Sequence, residues 1–274
     1  MTAPLPTASR WNTYSRSRYP RLWDGCVGAW CPSLGVTGSR LHDYSQRMGW
    51  ATTSAYDVTN WAVECGAYAY DFQNGQYADS ATTGPTGDKS GCFWVRNYGT
   101  VTTRYSGYCA LAWGATQTGN AVYVNYDNDP NFGGTGWGVT QWGSSVGFVQ
   151  AIDGIWHHFA FTNTGTTWRV YFDGVEKTSS AMTTNTQAGF IRLAAYNETP
   201  VRNASKGMYM DDIRVYSRVL LVDEIRLLAR RRAIAYEPEY QPSYYTETDA
   251  GGGGGGGASR PYAWQSARII GAGR

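Results

Sequence analysis

The chain has 274 residues, of which 42% are hydrophobic and 16% are charged, and its formal net charge is +2. Because soluble domains usually carry about 25% charged residues, this low charge excludes a disordered acidic chain and a coiled coil. The 34 glycines and the 15% of aromatic residues favour strands and tight turns over helices.

We expect neither a membrane-spanning helix nor a secretory signal. No stretch reaches the roughly 18 consecutive apolar residues of a membrane-spanning helix. Met1–Arg10 has neither an early positive charge nor an apolar core, so it does not resemble a secretory signal. We therefore expect synthesis in the cytoplasm and no membrane partner.

The first 21 residues are predicted to be an arm outside the folded domain. This segment contains four arginines and no acid: Arg10, Arg16, Arg18 and Arg21. Aromatic residues lie among these charges and no run of five basic residues occurs, so nucleic acid is not an expected partner. The arm is either a solvated tail or a segment that docks on a neighbouring subunit through these arginines.

Residues 22–232 are predicted to form an all-β domain. Short apolar runs alternate here with clusters of Gly, Asn, Asp and Thr, which is typical of strands and turns without intervening helices. We expect a two-sheet antiparallel jelly-roll sandwich. The predicted strands are Cys26–Trp30, Tyr68–Phe72, Cys92–Asn97, Ala110–Trp113, Ala121–Tyr126, Gly147–Gln150, Trp156–Thr162, Thr167–Phe172, Phe190–Ala195 and Met208–Tyr216.

Two predicted turns and the five cysteines add detail to the all-β prediction. Asp173-Gly174 is a strong signal for a two-residue hairpin turn. The glycine-rich segment Gly133–Gly138 lacks the Lys and Ser or Thr of a phosphate loop and is predicted to be a turn. The odd number of cysteines and their spacing indicate neither a disulfide framework nor a zinc site. Cys92 and Cys109 lie in strand-like segments and are expected to be small buried apolar side chains.

A short helix and an extended arm are predicted to follow the strands. Val222–Arg232 has acids in its first turn and arginines in its last turn, as the helix dipole favours. Residues 233–274 change to a Pro- and Tyr-rich segment, seven glycines at 251–257 and an apolar tip. We expect this C-terminal arm to dock through the side chains of its tip: Tyr262, Trp264, Ile269 and Ile270.

Several ordered motifs resemble one family. Gly154-Ile-Trp-His-His-Phe-Ala-Phe161 followed by Trp168-Arg-Val-Tyr-Phe-Asp-Gly-Val175 resembles the central hairpin of laminin-G-like domains in the concanavalin A superfamily. Asp211–Leu220 with Asp223-Glu-Ile225 resembles their closing strand and helix. The earlier motifs that also fit are Leu41–Ser45, Tyr68–Phe72 and Cys92–Val95.

This resemblance covers about residues 22–230 and implies a two-sheet jelly roll. Members of the family mostly bind glycans or proteins or serve as structural modules, and many use calcium. One departure is Leu221, where the family usually has a Ser or Thr helix cap, so a weaker helix start is expected.

The arms carry a second resemblance. The Arg-Arg-Arg-Ala-Ile-Ala-Tyr segment at 230–236, after such a core and before a short apolar C-terminus, is similar to structural proteins of tailed phages. This resemblance implies a virion location after synthesis in the host cytoplasm. It also implies contacts with other virion proteins, such as the major capsid protein or copies of this chain, in a homo-oligomer or symmetric array.

Calcium is the one cofactor considered. Asp127, Asp129 and Asn131 place oxygen ligands at alternate positions, which resembles the first half of a calcium loop. The glycine comes one place late, at Gly133, and position 138 lacks the bidentate Glu, so a turn and a calcium site both remain open. The family resemblance adds Asp43 and Asp71, which match acidic family positions, as further candidates.

Catalysis is not expected. Retaining glycosidases need two carboxylates about 5–5.5 Å apart on a rigid frame, and the Glu-x-Asp pattern of related sandwiches occurs only at Glu247–Asp249, in the C-terminal arm. His157 and His158 are neighbours on a predicted strand, so they face opposite sides and cannot share a metal. Asp211 and Asp212 are likewise expected on opposite faces, with Asp212 turned inward to cap a loop or meet an arginine.

The preferred hypothesis is therefore a non-enzymatic virion structural protein, a capsid decoration or minor capsid or tail component docked through its arms. The alternative is a glycan-binding module for adhesion or adsorption. Surface Trp and Tyr rings could stack on a cell-surface glycan, but the same residue types also fill a sandwich core, so the sequence does not select a platform.

Overall fold

The computed structural model describes most of the chain between Ser17 and Glu237. The described residues are 17–35, 40–49, 51–53, 61–64, 67–72, 77–98, 108–114, 121–141, 144–182, 188–196 and 207–237. Of the predicted assembly contacts, Arg18 and Arg21 lie within these ranges. The others lie outside the described residues: Arg10, Arg16, Tyr262, Trp264, Ile269 and Ile270. No helix within the described ranges is long and apolar enough to cross a membrane.

Strands dominate the described residues. In chain order they are β1 (Cys26–Trp30), β2 (Arg40–Leu41), β3 (Ala51–Thr53), β4 (Trp61–Glu64), β5 (Ala67–Phe72), β6 (Ala78–Thr83), β7 (Lys89–Asn97), β8 (Tyr108–Trp113), β9 (Val122–Asp129), β10 (Gly134–Gln141), β11 (Ser144–Val149), β12 (His157–Asn163), β13 (Thr167–Phe172), β14 (Val175–Ala181), β15 (Phe190–Leu193) and β16 (Met208–Tyr216). One α-helix, α1, spans Val222–Leu228. Short 3₁₀ turns lie at Pro20–Trp23, Pro32–Leu34, Pro130–Phe132 and Ile234–Tyr236.

The strands form two eight-stranded sheets. The first has the order β14-β13-β12-β7-β16-β5-β4, with β1 paired to the second half of β16. The second has the order β11-β10-β9-β8-β15-β6-β3-β2. Neighbouring strands run antiparallel, as in the pairs β12–β7 and β10–β9. The predicted all-β jelly-roll sandwich with one short C-terminal helix is confirmed.

An apolar core fills the space between the sheets. Side chains alternate along β13, because Trp168, Val170 and Phe172 point into this core. Phe93 of β7 stacks on Phe159 of β12 with ring centroids 5.3 Å apart. Each buried side chain of this size contributes about 1.5–3 kcal/mol relative to an exposed one, so this core supplies most of the favourable energy of folding.

The hairpin signal is also confirmed. Asp173 and Gly174 form the two-residue turn between β13 and β14, with φ of 50° and 77°. Both central residues of a type I′ turn need positive φ, which Gly and Asp tolerate better than other residues. The turn lies against α1, since a Cβ on Gly174 would be 3.2 Å from the Cβ of Ala229.

One predicted turn is wrong. Gly133–Gly138 largely belongs to β10, which pairs with β9 and β11 along its length. The glycines are needed for close packing: a Cβ on Gly136 would lie 1.9 Å from the carbonyl oxygen of Phe148, and one on Gly138 would lie 2.4 Å from the ring of Phe132. The alternate positions thus lack side chains because neighbouring groups occupy that space.

Helix α1 is shorter than predicted and ends at Leu228 rather than Arg232. Its start lacks a side-chain cap at Leu221, as expected from the sequence. Glu224 partly replaces the cap, because its Oε2 accepts a hydrogen bond of 2.8 Å from the backbone N–H of Leu221. The same carboxylate binds Arg218 at 2.7 Å.

The four described cysteines are buried free thiols, which confirms the predicted burial of two of them, Cys92 and Cys109, and adds Cys26 and Cys31. Burial raises the pKa of Cys26 to about 12. A thiol with such a pKa stays protonated near neutral pH, and it packs as a small apolar side chain.

The described parts of the two predicted arms pack together on the outer face of the first sheet. Arg18 N–H donates to the carbonyl of Glu237 at 2.8 Å, and Ser17 Oγ donates to the carbonyl of Ala235 at 2.7 Å. The indole N–H of Trp23 donates to that same carbonyl at 2.9 Å. Residues 17–21 and 233–237 are therefore held on the domain, and the remainder of each arm stays a prediction.

Candidate functional site

Partly exposed aromatic and arginine side chains line the outer face of the first sheet beside the C-terminal end of α1. Because side chains alternate along a strand, Trp94, Arg96 and Tyr98 on and after β7 share one face. Tyr209 of β16 pairs with Arg96. Trp156 and Arg232 extend the same surface. We call it the aromatic–arginine strip, formed by Trp94, Arg96, Tyr98, Trp156, Tyr209 and Arg232.

The rings and guanidinium groups of the strip contact one another. Tyr209 lies between two other rings, with centroids 4.9 Å from Tyr98 and 6.5 Å from Trp156. The Arg96 guanidinium is 5.9 Å from the Tyr209 ring centroid, and the Arg232 guanidinium is 4.3 Å from that of Trp156. These distances are within the range of cation–π attraction. Arg232 also lies 3.7 Å from the Asp211 carboxylate and its side chain is only 13% exposed, so the strip places ring faces beside the Arg96 guanidinium and the paired guanidinium of Arg232.

Hydrogen bonds to groups beneath the strip hold the rings of Trp94 and Tyr98 in place. Trp94 Nε1 donates to the carbonyl of Leu228 at 3.2 Å, which joins the strip to the end of α1. The Tyr98 hydroxyl donates to the carboxylate of Asp71. Tyr98 is 44% exposed, so its ring face remains available while its hydroxyl is held.

Residues 150–156 form a loop from β11 to β12 that delivers Trp156 to the strip. Arg96 Nε donates to the carbonyl of Gly154 in this loop. At its start, the Tyr126 hydroxyl donates to the carbonyl of Gln150 at 2.7 Å. Ile155, next to Trp156, is 57% exposed. The loop thus presents an apolar residue and an indole at the edge of the sandwich.

The two histidines are on opposite faces of β12, as predicted. His158 is buried under Trp94, with ring centroids 5.5 Å apart. Burial lowers the pKa of His158 to about 3, so its imidazole is neutral in ordinary buffers. His157 lies at the sandwich edge and stacks on Phe172 at 4.5 Å.

Asp211 and Asp212 are not on opposite faces, and that prediction is wrong. A bulge in β16 between Asp211 and Arg214, with φ of 46° at Asp212, turns both carboxylates to the outer side. Asp212 Oδ1 binds Arg214 Nε at 2.8 Å, and its Oδ2 accepts from the N–H of Ala233 at 2.9 Å. The predicted inward orientation of Asp212 is therefore wrong, whereas its predicted contact with an arginine or a loop is found at Arg214 and Ala233.

Asp211 is buried beside it. Its Oδ1 accepts from the N–H of Ser33 at 3.0 Å and from that of Asp212 at 2.9 Å. Burial, followed by the charge of Asp212, raises the pKa of Asp211 to about 6. Both carboxylates therefore hold backbone segments in place on the outer face of the first sheet.

Two of the predicted calcium residues, Asp127 and Asp129, lie on β9 rather than in a loop, and Asn131 lies in the 3₁₀ turn that follows. Asp129 Oδ1 accepts from the N–H of Asn131 at 2.9 Å and caps the 3₁₀ turn that follows β9. Asn131 Nδ2 donates to Ser145 Oγ at 2.7 Å. Asp127 accepts from the N–H of Asn128 at 2.8 Å. These three side chains are near one another on the second sheet, and calcium binding there stays a prediction.

Asp43 and Asp71 lie apart from these three residues. Asp71 belongs to β5 of the first sheet, and Asp43 lies next to β1 of the same sheet. The Asp43 carboxylate accepts hydrogen bonds of 2.7–3.1 Å from Ala29, Ser45, Met48 and Gly49, so it organises the turn after β2. Among the described residues, no three or more His, Cys, Asp or Glu side chains are grouped so that they could hold a metal ion.

Comparison with known proteins assigns the family. Residues 72–226, more than half of the chain, match the family model described as the concanavalin A-like lectin/glucanases superfamily. The chain belongs to this superfamily. No curated protein matches the sequence. The matched range includes the strip residues on β7, the 150–156 loop and β16, so the strip lies on the superfamily fold itself, apart from Arg232.

Solved structures share this superfamily fold at low sequence identity. The binding domain of botulinum neurotoxin DC in complex with SialylT aligns with a TM-score of 0.54 and 13% identity, over 76% of this chain and 52% of that one. The receptor binding domain of botulinum neurotoxin type G gives 0.53 and 15%, over 75% and 51%. The binding domain of Paraclostridial Mosquitocidal Protein 1 gives 0.52 and 15%, over 76% and 52%. The chain spans about half the length of these structures.

The strip was not found from the sequence, although part of its signal is local. The alternation Trp94-x-Arg96-x-Tyr98 places two rings and a cation on one face of a strand, which sequence alone can show. The remaining members come from a loop, from β16 and from the segment after α1. Only the pairing of β7 with β16 brings Tyr209 opposite Arg96.

Proposed function

We propose that this chain is a non-catalytic binding module and that the aromatic–arginine strip binds a glycan with acidic sugar residues. The observation that carries the proposal is the alternation of partly exposed rings with two guanidinium groups on one surface. Aromatic faces pack on the apolar faces of sugar rings. Arginine side chains donate charge-assisted, often bidentate, hydrogen bonds to carboxylates. A sugar acid would use both features at once.

The buried carboxylates support a role without catalysis. A retaining glycosidase needs an acid and a nucleophile that reach the sugar from both sides. Asp211 and Asp212 are 0% and 2% exposed. Asp211 binds backbone N–H groups and lies 3.7 Å from Arg232, and Asp212 binds Arg214 and a backbone N–H. They therefore contribute to the structure beneath the terminal segments.

Two aromatic-to-alanine variants test glycan binding. Trp156→Ala and Tyr209→Ala each remove a ring of the strip, and we expect at least a tenfold loss of affinity for acidic glycans selected on an array and measured by calorimetry. The matched control is Tyr77→Ala, because the Tyr77 ring also lies under an arginine, Arg192, at 4.3 Å, but on the second sheet. Equal affinity of all three variants and the wild type would refute the assignment of the strip.

A virion structural role is the second candidate. The contact between Arg18 and Glu237, where the two arms join the domain, supports it. Arg18 and Glu237 are joined by a backbone hydrogen bond, so both arms leave the domain from one place. Two arms that start together can grip the same neighbour, such as a major capsid protein or another copy of this chain. In this proposal the protein is a capsid decoration or a minor capsid or tail component, and the strip faces outward for adsorption.

Deletion of the C-terminal tip tests this second candidate. Removal of residues 250–274 is expected to abolish incorporation into particles while the melting temperature of the jelly roll stays nearly unchanged. Incorporation of the truncated protein at the normal level would exclude docking through this arm.

A further inference from the structure

The loop that carries Trp156 is fastened by one histidine between two carboxylates. His157 Nε2 lies 2.8 Å from Asp153 Oδ2, and His157 Nδ1 lies 2.7 Å from Asp173 Oδ2. Asp153 belongs to the 150–156 loop, and Asp173 is the first residue of the turn between β13 and β14. The imidazole thus connects the loop to a turn that packs on α1.

Only the protonated imidazole can make both contacts as a donor. A neutral imidazole has one N–H donor and one acceptor nitrogen. It can donate to one carboxylate, but it turns a lone pair toward the other. The imidazolium donates from both nitrogens and carries the charge that both carboxylates attract. The observed geometry therefore fits the charged form of His157.

The other groups near His157 do not replace this interaction. The ring of Phe172 stacks on one face of the imidazole, and His158 on the next position is neutral because its pKa is about 3. The charged groups that act on His157 within the described residues are Asp153 and Asp173. Burial lowers the pKa of His157, but the hydrogen bonds and charges of the two carboxylates outweigh burial and raise that pKa above its usual value.

We propose that protonated His157 is a latch that fixes the 150–156 loop and holds the Trp156 ring in the aromatic–arginine strip. As the pH rises through the pKa of His157, one carboxylate contact is lost and the loop loosens. The bonds from Arg96 to Gly154 and from Tyr126 to Gln150 do not involve His157, so the loop keeps these two anchors and the change is partial. The effect on ligand binding rests on the proposed function, whereas the latch can be tested without a ligand.

The first measurement follows the latch in the free protein. The chain has three histidines, so their ring resonances can be assigned by NMR with a His157→Gln variant, and fluorotryptophan labelling with Trp156→Phe assigns the Trp156 signal. We expect His157 to titrate above pH 6.5 and the Trp156 fluorine signal to move with the same midpoint. A midpoint at or below 6.5, or a Trp156 signal that ignores pH, would overturn the latch.

Two amide variants separate the latch from general pH effects. Asp153→Asn keeps the contact of His157 with Asp173 but removes the loop carboxylate, so His157 should titrate at a lower pH and the Trp156 signal should no longer follow it. Glu176→Gln is the control, because Glu176 pairs with Arg169 at 2.8 Å on the surface of β13 and β14. It should retain the wild-type titration. If Asp153→Asn behaves like Glu176→Gln, the loop carboxylate has no part in holding Trp156.

Binding is then measured from pH 5 to pH 8 with the acidic glycans selected on the array. Wild type should lose about three- to tenfold in affinity as the pH rises, and Asp153→Asn should show a flatter profile. Binding that is equally strong across this range, with an intact Trp156 titration, would overturn the link between the latch and the ligand. Absence of any glycan binding with an intact titration would count against the proposed function alone.

Discussion

The buried ion pair on β16 allows a quantitative test of how the terminal segments are held. Arg214 and Asp212 have side chains that are 0% and 1% exposed, and Nε and Oδ1 are 2.8 Å apart. The guanidinium packs against the rings of Trp23 and Tyr236, 4.6 Å from each centroid, and the two rings contact each other edge-on at 5.0 Å. Asp212 also accepts from the N–H of Ala233. One charge pair therefore connects β16 to both terminal segments.

Removal of either charge alone should be costly. Arg214→Met leaves the Asp212 carboxylate buried without its cation, and Asp212→Asn leaves the guanidinium buried without its anion. Each is expected to lower the free energy of unfolding by about 3–5 kcal/mol. The double variant replaces both charges with neutral side chains, and Met can pack against the same two rings. It should lose about 2 kcal/mol or less, well below the sum of the single changes.

Urea unfolding at pH 7, followed by tryptophan fluorescence and by circular dichroism, measures the four free energies of this cycle. Coincident transitions by the two probes would justify two-state analysis. We expect a coupling of about 4 kcal/mol or more between Arg214 and Asp212, since two single losses of about 3 kcal/mol or more exceed a double loss of about 2 kcal/mol by that amount. Single effects that add within about 0.5 kcal/mol would refute it, because they would show that neither charge depends on the other.

Three further stability predictions use the same unfolding measurement. Gly174→Val should lower the free energy of unfolding by about 1–3 kcal/mol because φ is 77° there, whereas Gly87→Val, in open space, should have little effect. Gly136→Ala should cost about 3 kcal/mol because its Cβ would overlap the carbonyl of Phe148, and an unchanged stability would contradict the packing of β10 on β11. The pKa of Asp211, about 6 in the fold and near 3.9 when unfolded, predicts that wild type loses up to about 3 kcal/mol between pH 4 and pH 6. Asp211→Asn should remove this loss, and parallel pH profiles of the two proteins would show that Asp211 does not cause it.

The parts of the fold that depend on local chemistry could be predicted from the sequence. Asp173-Gly174 marks its own turn, since few residue pairs accept two positive φ angles. The boundaries of β1 and β16 match the prediction because apolar side chains run along both strands. In contrast, Gly134–Gln141 has glycines where a strand usually has side chains, and only the neighbouring Phe132 and Phe148 explain them.

The candidate site was less accessible to sequence reasoning. A strand prediction assigns alternate residues to opposite faces, but the bulge at Asp212 adds one residue and turns both acids to the same side. The strip depends on which strands are neighbours, and Tyr209 meets Arg96 only because β16 returns beside β7. Likewise, nothing local to Asp153 indicates that it shares a histidine with Asp173.

The contact between Arg18 and Glu237 also determines how the domain carries mechanical load. The hydrogen bond from Arg18 to Glu237 joins the two segments that flank the sandwich, so all of its strands lie between these two residues in the sequence. A pull that separates the two arms acts first on the contacts between residues 17–23 and 233–237, because tension follows the shortest connection between the points where it is applied. The strands stay outside the stressed path until those contacts break, so tension between the two terminal segments strains their contacts before it unfolds the domain.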